Sequence, residues 1–146
     1  MTMTHLTTSQ LEAKLDKIRQ SPKDAGVLEL IVRRPRAGQR EVLSEGELSL
    51  VEGLVGDNWR FRNNFHTGEA SPNPEMQLNI MNSRAVALVA QEKDRWQLAG
   101  DQLFIDLDLS EENLPPGTQF ALGSALIEVT VVPHTGCKKF VERFWT

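Results

Sequence analysis

The alternation of apolar and polar positions predicts strands in the second half of the chain. Between residues 103 and 109 every second position is leucine or isoleucine, which is typical of a half-buried strand. Residues 118–122 and 125–132 predict two further strands, joined as a hairpin at Gly123-Ser124. Residues 27–33 are rich in β-branched and aliphatic side chains and are bounded by glycine and proline, so they predict another strand.

Helical periodicity is clearest near the N-terminus. Residues 11–18 carry leucine or isoleucine at helical intervals behind a capping box that begins at Ser9. Pro22 ends this pattern, because the residue before a proline is pushed out of the α region. Residues 1–24 are therefore expected to form an N-terminal helical extension.

The middle of the chain carries weaker signals. Residues 41–43 and 47–51 predict a short strand pair, and residues 77–81 predict another short strand. Asn82 or Ser83 can then cap a helix that carries several apolar residues. These elements are expected to connect the N-terminal half to the strands of the second half.

Together these elements predict a mainly β fold with peripheral helices. Strands outnumber helices and hairpin-like connections outnumber helical crossovers, which favours a mostly antiparallel β-barrel with a few short helices packed outside it. The chain has 146 residues, the size of one ordinary domain, so residues 1–146 are expected to form a single domain.

Composition narrows the classes of function. The net charge is −4 and the isoelectric point is about 5.4, so the chain lacks the basic footprint of a nucleic-acid binder. No apolar run approaches the roughly 20 residues of a membrane span, and the polar N-terminus does not resemble a signal peptide. One cysteine cannot form an internal disulfide, which favours a reducing compartment and predicts a cytoplasmic protein.

Arginines cluster in two places. The first cluster is Arg33, Arg34, Arg36 and Arg40, and the second is Arg60 and Arg62. Such a run is usually a solvated loop face, and this is the interpretation favoured here. The alternative is local recognition of a phosphate or another small anion.

The only cysteine, Cys137, lies in a segment suited to a reactive thiol. His134 precedes it by three residues and Lys138 follows directly, and both would favour the thiolate form. Gly136 leaves room for a ligand beside the backbone. A cysteine that only fills space is the alternative, although the polar neighbours make a core position less suitable.

Four segments of the chain, residues 53–57, 77–84, 98–117 and 127–140, together resemble MOSC domains, the family named for the C-terminal part of the molybdenum-cofactor sulfurase. Gly53-Leu54-Val55-Gly56-Asp57 looks like the family's GLxGD segment, and residues 77–84 occupy the place of the following strand-to-helix step. Residues 98–117 are similar to the family's central stretch. Residues 127–140, which include His134-Thr135-Gly136-Cys137-Lys138, look like its cysteine motif.

The resemblance implies a β-barrel whose cysteine carries sulfur as a persulfide or faces the metal of a molybdenum cofactor (molybdopterin). Cys137 would then be the catalytic sulfur carrier or a molybdenum ligand. The predicted cofactor-binding residues are Gly56, Asp57, Arg60, Arg84, His134 and Lys138. The implied partners are the small-molecule cofactor or a sulfur-donor protein, with no nucleic acid and no membrane. Pyridoxal phosphate is not expected, because nothing here resembles the aminotransferase-like domain that holds it.

The chain departs from the family pattern in two places. Asn58-Trp59-Arg60 stands where many members have an Arg-His pair, so a catalytic histidine is not expected in this loop. Related chains usually continue well beyond the Arg-Phe pair matched by Arg143-Phe144, whereas this sequence is short at its C-terminus. Either the barrel closes without that piece, or a second copy supplies the edge in a homodimer.

Three functions follow as alternatives. The first is a sulfur-transfer or molybdenum-cofactor protein, of sulfurase type if it is an enzyme, that acts through Cys137. The second is a non-catalytic module that binds a pterin or an oxyanion. The third is a degenerate relative that serves as an interaction domain. Reactivity of the thiol separates the first from the others.

Overall fold

The computed structural model describes residues 4–61 and 72–132, and these form a mixed α/β arrangement of short helices and three small sheets. The α-helices are α1 (Thr8–Ala13), α2 (Leu15–Arg19) and α3 (Ser83–Ala90). Short 3₁₀ segments cover Trp59–Phe61, Pro74–Met76 and Lys93–Ala99. The strands are β1 (Val27–Arg33), β2 (Glu41–Leu43), β3 (Leu48–Ser49), β4 (Gly53–Leu54), β5 (Ile80–Asn82), β6 (Leu103–Asp106), β7 (Gln119–Leu122) and β8 (Ala125–Glu128).

The central sheet has the strand order β2-β1-β6-β5. β1 pairs antiparallel with both β2 and β6, whereas β5 pairs parallel with β6. The parallel pair is joined through α3 and the 3₁₀ segment, which is the helical crossover that a parallel pair requires. The predicted strands at 27–33 and 41–43 are confirmed, but β2 pairs with β1 rather than with the strand that follows it.

Apolar side chains on the two faces of this sheet form two cores. Val32 and Phe104 pack with Val86 of α3 and with Trp96 on one face. On the other face a second cluster is built around Ile31, Leu54, Leu103, Ile105 and Leu107. Leu103, Phe104 and Ile105 are all buried. The prediction of a half-buried strand was therefore wrong here, because β6 is a central strand covered on both sides.

The hairpin of β7 and β8 is confirmed. Leu122 pairs with Ala125 across Gly123, whose φ of +61° suits the tight two-residue turn. The half-buried Phe120 and Leu122 pack against the second core, so this hairpin covers the face of the central sheet opposite α3.

The fold is therefore less β-rich than predicted. The helices are short and most strand pairs are antiparallel, as expected, but α3 and the 3₁₀ segment form a layer on one face of the sheet. The strands within residues 4–61 and 72–132 form separate sheets rather than a closed barrel.

Local capping explains where the helices begin. Thr7 rather than Ser9 caps α1, and it exchanges the two hydrogen bonds of a capping box with Gln10. Asn82, one of the two predicted caps, caps α3: its Oδ1 accepts a hydrogen bond from the backbone N of Ala85. Among the helices described here, none has the length and apolar character needed to cross a membrane.

Candidate functional site

The described part of the candidate site is the segment Gly53-Leu54-Val55-Gly56-Asp57 and its neighbours. His134, Cys137 and Lys138 lie outside the described residues, as do Arg62 and the C-terminal Arg143-Phe144 pair. Of the predicted cofactor-binding residues, Gly56, Asp57, Arg60 and Arg84 lie within the described residues.

Both glycines of this segment occupy positions that demand glycine. Gly53 has a φ of +72°, and a Cβ there would lie 3.0 Å from the carbonyl oxygen of Gln77. Gly56 has a φ of +89°, and a Cβ there would lie 2.6 Å from Cδ of Arg33. Positive φ favours glycine at both positions, and at Gly53 the approach of the Gln77 carbonyl adds to this preference, whereas the atoms nearest Gly56 belong to the flexible side chain of Arg33. The segment therefore has a backbone course that few other sequences could adopt.

Asp57 is the most constrained residue of the segment, with a relative exposure of 1%. Its Oδ1 accepts hydrogen bonds from the backbone N of Arg34 at 2.8 Å and from Nε of Arg34 at 3.0 Å. Its Oδ2 accepts from Nη2 of Arg34 at 2.9 Å, from the backbone N of Trp59 at 3.0 Å and from Nε2 of Gln102 at 3.3 Å. Five donors converge on one carboxylate, so Asp57 acts here as a structural anchor.

Arg34 connects this anchor to the central sheet. It follows β1 directly and is 5% exposed, and its Nη1 donates to the carbonyl oxygen of Gly100 at 3.1 Å. Its own carbonyl accepts from the backbone N of Asn58 at 2.8 Å. One arginine therefore fixes the end of β1, the loop after β4 and the approach to β6. The prediction of a solvated loop face was wrong for Arg34.

The pKa of Asp57 makes part of the stability depend on pH. Burial alone would raise this pKa, but the hydrogen bonds and positive charge of Arg34, helped by the Trp59 N–H, hold it below its ordinary value of 3.8. Because the folded pKa lies below the unfolded one, the resulting stabilisation is present above about pH 4 and is lost as pH falls through the folded value.

We therefore expect the free energy of unfolding to fall more steeply with acid in the unmodified protein than in Asp57→Asn, which has no carboxyl at this position. Urea titrations at a series of pH values from about 6 downwards measure the two slopes. Equal slopes in the two proteins would show that Asp57 does not titrate differently on folding.

Arg60 is the cation of the site that faces solvent. Its Nη1 lies 3.4 Å from Oε1 of Glu52, and its guanidinium carbon lies 4.6 Å from the ring centroid of Phe61. Phe61 is itself 73% exposed. A planar cation beside an exposed aromatic ring is suited to contact an anionic, flat ligand.

Arg84 lies beside Asp106 at the C-terminal end of β6, whereas Asp57 contacts Gln102 just before its N-terminal end. Its Nε donates to Oδ1 of Asp106 at 2.9 Å, and its Nη1 donates to the carbonyl oxygen of Lys17 at 2.9 Å. Asp57 contacts Gln102, four residues before Asp106, so the two predicted site residues are anchored about 13 Å apart along the strand. The structure does not bring Asp57 and Arg84 together, and Arg84 mainly ties α2 to the sheet.

Sequence reasoning missed two members of the Asp57 network. Arg34 lies within a run of arginines and Gln102 precedes an apolar strand, and neither pattern signals a buried partner. Groups of three or more histidine, cysteine or acidic side chains arranged to hold a metal ion do not occur in the two described ranges. Comparison of the chain with protein-family models, with curated proteins and with solved structures found no match.

Proposed function

We propose that this chain is a MOSC-type domain that carries sulfur, or faces a molybdenum cofactor, through Cys137. The proposal includes a cytoplasmic location. A sulfur-donor protein or the cofactor itself is its partner. The resemblance of ordered motifs along the chain is the starting point of this proposal.

The observation that carries the proposal is the construction of the Gly53–Asp57 segment. Two glycines at positive φ and a buried aspartate with five donors are each difficult to replace. The residues that carry the resemblance here also determine the local geometry, because glycine tolerates positive φ and the carboxylate accepts from all five donors. This supports the resemblance at Gly56 and Asp57, with Asp57 as a positioning residue for the loop that presents Arg60.

The described residues differ in how well each could bind the cofactor. Arg60 fits an anionic group of a pterin phosphate, since its guanidinium is exposed and its ion pair with Glu52 is partly solvated. Asp57 does not fit as a direct ligand, because its oxygens are already occupied by Arg34, Trp59 and Gln102. Arg84 would have to leave Asp106 to bind an anion. When bound, the cofactor would supply a molybdenum centre that a soft thiolate such as Cys137 can approach.

The sulfur-transfer step needs only the thiolate and a persulfide donor. The Cys137 thiolate attacks the outer sulfur of the donor persulfide, the donor S–S bond breaks, and the donor leaves as a thiolate while a new S–S bond forms on Cys137. Cys137 is oxidised from a thiolate to a persulfide while the donor is reduced from a persulfide to a thiolate, so the exchange needs no external oxidant or reductant. His134 and Lys138 are proposed to favour the attacking thiolate; His134 precedes Cys137 by three residues and Lys138 follows it directly.

Incubation with glutathione persulfide tests this directly. We expect the intact protein to gain one sulfur atom by mass spectrometry and to release it on reduction, and we expect Cys137→Ser to gain none. The assignment is unambiguous because the chain has one cysteine. Failure of the folded, unmodified protein to form the adduct would contradict the carrier mechanism.

A binding module without chemistry at Cys137 is the second candidate. The exposed pair of Arg60 and Phe61 favours it, because that pair can hold a flat anion without any thiol. Under this alternative, molybdopterin binding survives in Cys137→Ser and is lost in Arg60→Gln. Under the carrier mechanism, Arg60→Gln still accepts sulfur from the persulfide.

A further inference from the structure

A groove between the N-terminal helices and α3 lies apart from the segment that contains Asp57. It has a volume of about 390 Å³ and is lined by residues 6, 14, 17 and 18 on one side and 84, 87, 88 and 91 on the other. Arg84, Ala87 and Leu88 lie on one face of α3 and Gln91 is its C-cap, while Val86 and Ala90 on the opposite face are buried in the core.

Hydrogen bonds hold the groove at both ends. Nη1 of Arg84 donates to the carbonyl oxygen of Lys17 at 2.9 Å, and Nε2 of Gln91 donates to the carbonyl oxygen of Thr4 at 2.7 Å. Arg84 and the C-cap residue Gln91 are seven positions apart along α3, which is about 10 Å. The N-terminal segment is therefore hydrogen-bonded to α3 and its C-cap at two points, with the groove between them.

The middle of the groove is apolar. Leu6, Ile18 and Leu88 are only partly buried there, and Ala87 is exposed and too small to fill the space. Apolar surface left exposed in a concave site is the usual lining of small-molecule sites, and the volume falls within their ordinary range of roughly 300–1,000 Å³.

All charged side chains that line the groove are positive. Its charged lining residues are Lys14, Lys17 and Arg84, and none of the acidic residues that the structure describes lines it. Asp106 offsets the charge of Arg84. Within the described chain, neither Lys14 nor Lys17 forms an ion pair, so their charges remain available. Lys17 lies at the Arg84 end, which makes that end the place for an anionic group.

We propose that this groove binds a small organic anion with an apolar body about 10 Å long and one terminal phosphate or carboxylate. The body lies along Leu6, Ile18 and Leu88, and the anionic group lies beside Lys17 and Lys14. An acidic peptide helix would need a longer apolar trough than the distance between the two anchors allows. The site is independent of Cys137 and of the function proposed for it.

Titration calorimetry with octyl phosphate, used below its micelle concentration, tests the proposal. We expect binding at one site per chain and about tenfold weaker binding to the Lys14→Gln/Lys17→Gln variant, because two solvent-screened charge contacts are lost. Octanol and inorganic phosphate should each bind more weakly than octyl phosphate, since each lacks one half of the ligand. Raising the salt concentration should weaken binding in the unmodified protein.

Two variants separate the groove from general charge effects. Lys23→Gln/Arg36→Gln removes the same number of charges from residues outside the groove and should bind as the unmodified protein does. Ala87→Phe fills the groove without changing charge and should abolish binding. Equal affinity in all variants overturns the proposal. So does binding only to phosphatidylserine vesicles that persists in Ala87→Phe, which would indicate adhesion to a charged surface.

Discussion

Replacing Asp57 with asparagine is expected to lower the free energy of unfolding by about 3–5 kcal/mol, because it leaves the buried Arg34 without its counter-charge. The amide has one acceptor oxygen where the carboxylate has two, and its NH₂ group would face N–H donors of Arg34, Trp59 or Gln102. Urea unfolding of the two proteins measures the difference.

Two controls define the cause of this loss. Glu41→Gln breaks an ion pair with Arg33 that is partly exposed, and it should cost less than about 1 kcal/mol. Arg34→Met in the Asp57→Asn background removes the stranded charge and should recover part of the stability. A loss for Asp57→Asn no larger than that for Glu41→Gln would contradict the account of Asp57 as a buried anchor.

Replacing Gly26 with alanine is expected to cost about 3 kcal/mol, at the upper end of the range for overpacking. Gly26 immediately precedes β1, whose first residue pairs with Asp106 of β6. An added Cβ would lie 2.4 Å from the backbone carbonyl oxygen of Asp106 and 2.9 Å from Cβ of Leu107. Neither atom is the free end of a flexible side chain, so the pairing of β1 with β6 must shift.

Gly117→Ala provides the matched control for Gly26→Ala. Gly117 has a φ of +90°, but no atom lies within 4 Å of the place that an added Cβ would take, so its replacement carries a conformational cost of about 1–2 kcal/mol without a clash. Thermal unfolding of both variants separates steric contact from backbone strain. If Gly26→Ala is no less stable than Gly117→Ala, the tight approach of the chain to β6 is not energetically important.

Local signals were sufficient for the elements that local interactions define. The hairpin around Gly123-Ser124, the strand β1 and the cap at Asn82 all follow from patterns within a few residues, and all three appear in the structure. Turn chemistry and capping act over short distances, so a sequence can reveal them without knowledge of the fold.

The features of the fold that were not predicted depend on contacts between elements that are distant in sequence. Alternation at β6 indicated one buried face, but Phe104 at an intervening position packs against α3 and Trp96 on the other face. The parallel pairing of β5 with β6 also depends on a crossover through α3 that strand counting did not anticipate. These features depend on which elements pack together, and periodicity alone does not contain that information.

In the candidate site, too, local sequence patterns identified residues but did not reveal their long-range contacts. Asp57 was identified through its motif, but its role as an anchor depends on Arg34, which lies 23 residues earlier. Arg34 could not be distinguished from Arg33 and Arg36 by sequence, because burial at the end of β1 follows from the course of the loop after β4. Arg84 was identified as an anion ligand, and the structure shows it paired with Asp106 at the far end of β6.

The pH dependence of Cys137 alkylation tests the proposed function most directly. We expect the rate with iodoacetamide to rise with a midpoint well below about 8.5, the value of an unperturbed thiol, and we expect the midpoint to move upward in His134→Gln/Lys138→Gln. Lys23→Gln is the control and should leave the midpoint unchanged. A midpoint at or above the unperturbed value in the folded, unmodified protein would contradict a sulfur carrier and leave the binding module as the better account.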